Sequence, residues 1–429
     1  MQEAFIHYVW QFQQFNHQSL RTTNGESLVI FNPGHPHQDE GPDFRNARLR
    51  IGKTLWAGNV ELHVRASDWQ AHQHEGDPHY ESVILHVVHE ADVPIRRQNG
   101  ELIPTLALKG RIAPKLAARY QWIQSSRHWI PCLERFQEVE LFRKQVFMQR
   151  LLIERFEYRS TYFQEVFTYY RQDWSQSFYH VLAAGFGIPI NQLPFEMLAR
   201  SLPLNLLRKH ASSAFQIEAL IFGQAGMLKQ PPLDHYQASL QSEYHHLVRK
   251  FGLHPIDGSI WHYLRLRPAS FPSARLAQFA ALITSEAHLF SKVRQHLDKK
   301  ALFEILRPTV SIYWQNHYRF GKLSKKVPVQ AGKAFVERLI ANTIVPFLFF
   351  YQQTTGKNDA PDALFALISS CKGEKNKILH HWERLGMPNN NAFDSQSLLH
   401  WKKHYCDQRK CLNCVVGKAL FEQRTEKIE

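Results

Sequence analysis

Residues 41–88 read GPDFRNARLRIGKTLWAGNVELHVRASDWQAHQHEGDPHYESVILHVV, and this stretch decides the fold of the N-terminal part of the chain. Two runs of alternating apolar and polar residues, near 46–51 and 55–65, are separated by Gly52-Lys53, which is typical of a hairpin turn. The nearly continuous apolar run at 82–89 is typical of a strand that is buried on both faces. These patterns predict a small sheet built on a hairpin and one interior strand.

The predicted hairpin brings acidic side chains together. Because side chains two positions apart on a strand point to the same face, Glu61, His63 and Arg65 are expected to line one side of the second strand. The hairpin would also place Asp43, at the beginning of the first strand, within reach of Glu61 and His63. An aspartate and a glutamate held together on a sheet are typical oxygen ligands of a hard divalent cation.

The pattern changes along the chain. A helix is predicted over 2–16, ahead of the strands, and long amphipathic helical patterns replace the strand patterns after about residue 110, beginning with 137–181. The chain is therefore predicted to be α+β. A mixed α/β domain at 1–115 would precede a large all-helical region at 116–429.

The 429-residue chain carries 52 Lys and Arg against 38 Asp and Glu, a formal net charge of +14. This excess favours a polyanionic partner such as nucleic acid, and the alternative is a generally basic surface. The N-terminus has no basic leader with a cleavage site, and the longest apolar run near the C-terminal end, 344–351, is too short to span a bilayer. Five cysteines do not suggest a disulfide scaffold, so a cytoplasmic protein outside the membrane is expected.

Histidines crowd the same N-terminal stretch, at His63, His72, His74, His86 and His89. A transition-metal site made of imidazoles and carboxylates would explain this density. On a helix His72 and His74 would point about 200° apart, whereas in a turn they could converge. The alternative is that His86 is hydrogen-bonded within its strand and that the others belong to a basic surface.

Three cysteines, Cys406, Cys411 and Cys414, lie within nine residues near the C-terminus. Cys411 and Cys414 have the spacing of a metal knuckle, and either His404 or the distant Cys132 could complete a tetrahedral zinc site. The alternative is a group of reduced, partly buried thiols.

Basic and aromatic residues alternate in the helical region, most densely around Arg265, Arg267 and Arg275. Arg265 and Arg267 precede a proline turn, which could present their guanidinium groups to phosphates, and Arg275 at the start of the next helix could face the same way. The alternative is a solvated face, or arginines that tie loops together through carbonyl oxygens.

The order of elements, with Pro42-Asp43 and Glu61-Leu62-His63, resembles the PD-(D/E)xK nuclease superfamily, which has a restriction-endonuclease-like core. The resemblance implies an Mg²⁺ site made by Asp43 and Glu61, with metal-activated water attacking a phosphodiester. The superfamily's last motif residue is lysine, whereas this chain has His63, which could act as base or ligand. Arg65 or Lys53 could then supply the positive charge. One cysteine upstream and three downstream also resemble the iron–sulfur nucleases of this group, in which a cluster holds the ends of the domain together.

Longer phrases along the chain are similar to an uncharacterised bacterial family, domain of unknown function 2851. They include WAGNVELHV, SDWQAHQH, NQLPFEMLARSLP, LRLRPASFPSARLAQFA and YCDQRKCLNCVVGKAL. The similarity is expected to run from residue 3 to about residue 421. This family carries no established activity, so it implies an identity and not a mechanism.

The sequence therefore favours a metal-dependent, nuclease-like protein that acts on DNA or RNA phosphodiesters, with Asp43, Glu61, His63 and Arg65 at its centre. One alternative is a non-catalytic nucleic-acid-binding protein or ribonucleoprotein assembly factor. Another is a zinc hydrolase that uses the histidines.

Overall fold

The computed structural model describes residues 2–37, 40–74, 77–325, 327–356 and 361–422. By contact, the chain divides into two compact units, Met1–Lys144 with Lys403–Glu429, and Gln145–Lys402. The first unit contains a mixed sheet and the second is mainly helical, which confirms the α+β prediction. The predicted domain boundary at residue 115 rests on the change from strand patterns to helical patterns in the sequence, and it stays a prediction.

The first unit is built around the sheet. Its elements are α1 (Glu3–Gln11), β1 (Leu28–Asn32), β2 (His35–Pro36), β3 (Phe44–Ile51), β4 (Thr54–Arg65), α2 (Asp68–Ala71), β5 (Val83–Glu90), β6 (Thr105–Ala107) and α3 (Pro114–Ser125). The strand order is β1-β3-β4-β5-β6, and β2 also pairs with β3. Strands β1, β3 and β4 are antiparallel neighbours, whereas β5 and β6 run parallel to β4.

The predicted hairpin and interior strand are both confirmed. Ile51 lies opposite Thr54, and Gly52 takes the left-handed φ of +59° that this tight turn requires. The first six residues of β5 are all buried, as its apolar sequence predicted. Phe44 pairs with Val60. Asp43, which precedes Phe44, is therefore close to Glu61, which follows Val60.

Helix α1 packs its apolar face against β4. Its buried residues are Phe5, Ile6, Tyr8, Val9 and Trp10. The predicted helix over 2–16 is too long, because the helix ends at Gln11 and Gln13 already has a φ of +52°. The packing of α1 brings its polar side chains to the end of β4.

Gly58 on β4 packs closely against Ile84 on β5. A Cβ atom at this position would clash with Ile84 Cγ2 and lie 2.9 Å from the Ser82 backbone oxygen. Gly58→Ala is therefore expected to lower the free energy of unfolding by about 1–3 kcal/mol, because a packed strand pair must move apart. Urea unfolding of the full chain measures this loss. The exposed neighbour supplies a control, Ala57→Ser, which should stay within about 0.5 kcal/mol of the wild type. Equal unfolding midpoints for the two variants would contradict the expected clash.

The second unit is an array of helices around a large apolar core. Its elements, after α4 (Leu141–Tyr169), are α5 (Trp174–Phe186), α6 (Ile188–Ser201), α7 (Leu204–Lys209), α8 (Ala214–Gln224), α9 (His235–Phe251), α10 (Pro272–Ser285), α11 (Leu289–Gln295), α12 (Lys299–Leu306), β7 (His317–Arg319), β8 (Lys322–Leu323), α13 (Lys333–Leu339), α14 (Val345–Thr355), α15 (Pro361–Ser370), α16 (Lys377–Arg384) and α17 (Ala392–Trp401). The last helix, α18 (Val415–Glu422), belongs to the first unit. The expectation of a purely helical region is wrong at one place, where β7 and β8 form a short hairpin through Gly321.

The apolar stretch Lys333–Thr355 is long enough to cross a membrane, but 83% of its most apolar window is buried inside the protein. Such burial is typical of the core helix of a soluble protein. Between α13 and α14 the stretch contains a π-helical turn, Ile340–Ile344. Pro346 follows this turn and has no amide hydrogen to donate to the carbonyl of Asn342, so the regular hydrogen-bond pattern is interrupted here.

Candidate metal centre

Asp43 and Glu61 face each other across the β3–β4 hairpin. The Asp43 amide donates a hydrogen bond to Glu61 Oε2 at 3.1 Å, and the Leu62 amide donates one to Asp43 Oδ2 at 3.0 Å. Among the described residues, the ion pairs of both carboxylates are with histidines and not with arginines. The structure thus brings together the two acidic residues that the sequence singled out. The Asp43 amide holds the Glu61 carboxylate, and the Leu62 amide holds the Asp43 carboxylate.

Three histidines converge next to Glu61. His63 on β4, and His72 and His74 in the turn after α2, each offer a ligand atom within 4.8 Å of the other two. His63 Nε2 lies 3.1 Å from His72 Nδ1 and 3.7 Å from Glu61 Oε1, while His74 Nε2 lies 3.3 Å from Glu61 Oε1. Ligand atoms about 2.0–2.1 Å from a tetrahedral zinc ion lie about 3.3 Å from one another. These separations therefore suit a shared metal ion.

The turn after α2 makes this convergence possible. Helix α2 ends at Ala71, and Gln73 takes a φ of +59°, which redirects the backbone between His72 and His74. His72 and His74 thus lie in a turn and not on a helix, and in that turn their ligand atoms converge, which is one of the two arrangements that the sequence allowed. The ring of Tyr80 stacks on His74 at a centroid distance of 3.8 Å and supports the turn from the other side.

His86 on β5 lies behind His63. Its Nε2 is 2.9 Å from His63 Nδ1, and both rings are fully buried. Burial, with the neighbouring imidazoles, lowers the pKa of His63 to about 2, and burial lowers the pKa of His86 to about 3. Both rings are therefore neutral at pH 7, the form in which imidazole binds metals. A hydrogen bond to the far nitrogen of a ligand histidine fixes its tautomer and orientation.

Buried polar atoms that lack hydrogen-bond partners gather around these rings. They are Trp69 Nε1, His74 Nε2 and His86 Nδ1. His74 Nε2 lies 3.3 Å from Glu61 Oε1 without making a regular hydrogen bond to it. Since an unsatisfied buried polar group is unfavourable, a bound ion at His74 would remove that penalty.

The chemistry of this donor set favours a transition metal. Imidazole nitrogens suit zinc, iron, copper and nickel, whereas magnesium is held by oxygen ligands. Asp43 and Glu61 offer the oxygen ligands that the sequence assigned to Mg²⁺, and that assignment stays a prediction. Burial raises the pKa of Glu61, and the nearby Asp43 carboxylate adds to this effect, so Glu61 is a stronger base than an exposed glutamate.

His7 on α1 is a site residue that the sequence analysis missed. Its Nε2 lies 3.3 Å from Asp43 Oδ2 and 3.7 Å from Glu3 Oε1. Burial opposes the charged form of His7, but the Asp43 carboxylate, helped by Glu3, outweighs burial and raises its pKa. No local pattern indicates this role, because only the packing of α1 on β4 brings His7 to Asp43.

The buried rings predict how stability depends on pH. In the metal-free protein, stability is expected to fall as the pH drops below about 6.5, because the unfolded chain then binds protons at His63 and His86. The folded protein binds these protons only near pH 2–3. Each ring therefore lowers the free energy of unfolding by up to about 1.4 kcal/mol for each pH unit below 6.5. Urea unfolding at a series of pH values tests this. His86→Gln should lose about half of this pH dependence, and an unchanged slope would contradict it.

The arginines that the sequence singled out differ in how exposed they are. Arg65 ends β4 with an exposed side chain, paired in register with Glu90. In the second unit Arg265 and Arg267 are exposed, whereas Arg275 is buried with its guanidinium 3.5 Å from the Phe335 ring centre. Arg275 Nη1 also donates a hydrogen bond to Gln278 Oε1 at 2.8 Å. A guanidinium held in this way packs the core and is not available to a phosphate in solution.

Four of the five cysteines lie within the first unit. Cys132, Cys411 and Cys414 are buried, and Cys406 is half-buried. Burial, with the nearby Cys414 and Cys411, raises the pKa of Cys132, and burial with Cys414 raises the pKa of Cys411 to about 12. The distant Cys132 therefore lies near the C-terminal pair. Both interpretations of the sequence, a metal site and a group of protonated thiols, stay open.

Comparison with known proteins yields one match. The chain matches the family model described as "Protein of unknown function (DUF2851)" over residues 3–377. This match ends before the expected residue 421, so the C-terminal cysteines lie outside it. No curated protein and no solved structure matches the chain. The resemblance to the PD-(D/E)xK nucleases thus gains no independent support from these comparisons.

Proposed function

The chain belongs to the DUF2851 family of proteins of unknown function, and we propose from its site that it is a metal-dependent phosphodiesterase acting on nucleic acid. The observation that carries this proposal is the convergence of three imidazoles beside Asp43 and Glu61, with Glu61 Oε1 lying 3.7 Å from His63 Nε2 and 3.3 Å from His74 Nε2. His63, His72, His74 and Glu61 would hold the metal ion. Zinc or iron suits the three imidazoles better than magnesium does, and manganese suits the carboxylate oxygen of Glu61.

Each side chain has a role that its surroundings support. A bound divalent ion would activate water and polarise a phosphate oxygen. Asp43 is positioned to accept the proton of a nucleophilic water, and Glu61 orients the Asp43 backbone through the hydrogen bond from its amide. His7, with its raised pKa, would supply positive charge near the phosphate, which the neutral His63 cannot do. The motif lysine missing from this chain would thus have a substitute on α1.

The substrate class rests on charge. A net charge of +14 attracts polyanions, and Arg265 and Arg267 expose guanidinium groups beside a proline turn. The same charge also supports the second candidate, a nucleic-acid-binding or ribonucleoprotein assembly protein without catalysis. The two candidates share a binding surface and differ only in the chemistry of the histidine centre.

A second metal is proposed at the cysteines. Cys132, Cys406, Cys411 and Cys414 would hold zinc or an iron–sulfur cluster within the first unit. Visible absorption of the purified protein separates the two, because zinc thiolates are colourless and iron–sulfur clusters are not. If the folded protein carries no metal as purified and its four thiols react with a thiol reagent, the alternative of reduced cysteines is favoured.

The test of the proposed activity begins with metal analysis of the purified full chain. The protein is then stripped with a chelator and assayed on labelled single-stranded DNA, duplex DNA and RNA with added Zn²⁺, Mn²⁺ or Mg²⁺. Cleavage restored by Zn²⁺ or Mn²⁺ is expected. Tight, salt-sensitive binding without cleavage under any ion would favour the binding protein. Stoichiometric zinc with hydrolysis of a non-nucleic ester alone would favour the third sequence-based alternative, a zinc hydrolase of another class.

A further inference from the structure

A second site lies wholly within the helical unit and is independent of the proposed phosphodiesterase. A cavity of about 250 Å³ opens between α4, α5, the start of α6 and the π-helical turn Ile340–Ile344. Its lining residues include Arg159 and Arg338 together with the apolar side chains Val181, Ile188 and Leu339. Arginines among apolar lining residues are typical of a small-molecule site for a ligand with one charged end.

The positive charge of this cavity is only partly offset. Arg155 stands behind Arg159 and donates a hydrogen bond through Nη2 to Asn342 Oδ1 at 3.2 Å. Among the described residues, none of Arg155, Arg159 and Arg338 makes an ion pair within 4.0 Å, and the buried Nε of Arg159 has no hydrogen-bond partner. Burial lowers the pKa of each of the three, and Arg159 lowers that of Arg155 further. Guanidinium groups desolvated together in this way are unfavourable unless an anion joins them.

The one carboxylate that lines the cavity is already engaged. Glu374 Oε1 accepts hydrogen bonds from Asn342 Nδ2 at 2.9 Å and from Gln396 Nε2 at 2.7 Å. Glu374 therefore offsets part of the positive charge from a distance and leaves the donors of Arg159 and Arg338 free for a ligand. A planar guanidinium suits the oxygens of phosphate, which it can bind with two parallel hydrogen bonds.

The backbone around the cavity is also unusual. Ile188 lines it with a φ of +54°, a left-handed conformation that a β-branched residue rarely adopts. Opposite it, Asn342 and Thr343 project from the π-helical turn, a feature that frequently occurs at functional sites. Two irregular backbone segments thus shape the same cavity, as expected for a binding site rather than a packing defect.

We propose that this cavity binds the phosphate group of a small molecule, with Arg159 and Arg338 holding the phosphate oxygens and Asn342 orienting the group. The apolar side chains of Val181, Ile188 and Leu339 would contact the rest of the ligand. The volume of about 250 Å³ accommodates a phosphate with a compact organic group.

The test is isothermal titration of the chelator-treated full chain with inorganic phosphate and, separately, with adenosine monophosphate, at matched ionic strength. Saturable binding of one equivalent is expected. Arg159→Gln and Arg338→Gln should each weaken binding by about 10-fold to 100-fold, since each removes charge-assisted hydrogen bonds. Arg249→Gln, on the exposed end of α9, is the matched control and should bind like the wild type.

Further variants keep the proposal testable if these two do not fold. Arg159→Lys keeps the charge but loses the planar fork, and it should still weaken binding. Glu374→Gln keeps an oxygen for its two amide donors but removes a negative charge, so it should tighten phosphate binding severalfold. Equal affinities in the wild type and Arg159→Lys, or weaker binding in Glu374→Gln, would overturn the assignment. So would tighter binding of succinate than of phosphate.

Discussion

Replacement of His63 by alanine is expected to lower the affinity of the protein for Zn²⁺ by about 100-fold or more. His63 Nε2 lies 3.1 Å from His72 Nδ1 and 3.7 Å from Glu61 Oε1, and it belongs to the group of convergent ligand atoms. Loss of a residue that merely orients a ligand weakens metal binding by about 10-fold to 100-fold, and loss of a direct ligand should exceed that. Competition with a chromophoric chelator measures the affinity of the purified full chain.

Matched variants separate metal binding from folding. His63 is fully buried and its removal leaves a cavity, so the less buried His74→Ala is measured beside it and should show a comparable loss of affinity. His89→Ala is the control, because His89 lies on the same sheet in β5 but outside the group of convergent ligand atoms. Wild-type affinity in both His63→Ala and His74→Ala would remove the metal centre and, with it, the proposed activity.

The sequence predicted the acidic pair because its geometry is local. The spacing of Asp43 and Glu61 on either side of Gly52 brings them near each other once the hairpin forms. The pairing of Phe44 with Val60, beyond a β-bulge, and the hydrogen bond from the Asp43 amide to Glu61 show this. The burial of β5 was predictable for the same reason, since a continuous β-branched run has no polar face to expose. Features that depend on residues close together in the sequence could thus be predicted from the pattern of apolar and polar residues.

Features that depend on packing were not predictable in this way. His7 reaches Asp43 only because α1 packs on β4, and nothing in the α1 sequence marks it. Arg275 follows other arginines in sequence, but α10 is buried along nearly its whole length, so its guanidinium is enclosed. The inclusion of Lys403–Glu429 in the first unit likewise depends on contacts between distant residues, which no local periodicity encodes.

The arrangement of charges around Asp43 suggests why the motif lysine could be absent. A neutral His63 can bind a metal but cannot stabilise developing negative charge, whereas His7 is held towards its charged form by Asp43. Metal binding and positive charge, which share one strand in the implied nuclease motif, would here be divided between β4 and α1. This division makes Asp43 the residue on which the proposed catalysis depends most.

Asp43→Asn is therefore expected to reduce metal-dependent cleavage by about 10²–10⁴-fold while the histidines still bind zinc. Asparagine keeps an oxygen that can accept the Leu62 amide, so the hairpin should remain folded, but it cannot take a proton from water. The assay is cleavage of labelled DNA or RNA under the ion that restores activity to the wild type. Asp77→Asn is the control, because Asp77 is in the same domain but bonded to His79.

A readout independent of cleavage tests the same substitution. Because the Asp43 carboxylate raises the pKa of His7, Asp43→Asn should lower that pKa, and an NMR titration of the His7 ring in the metal-free protein measures the change. A lowered His7 pKa with wild-type cleavage would mean that Asp43 is a neighbour of the reaction and not its base. An unchanged His7 pKa with lost cleavage would instead leave Asp43 catalytic and remove His7 as the source of positive charge.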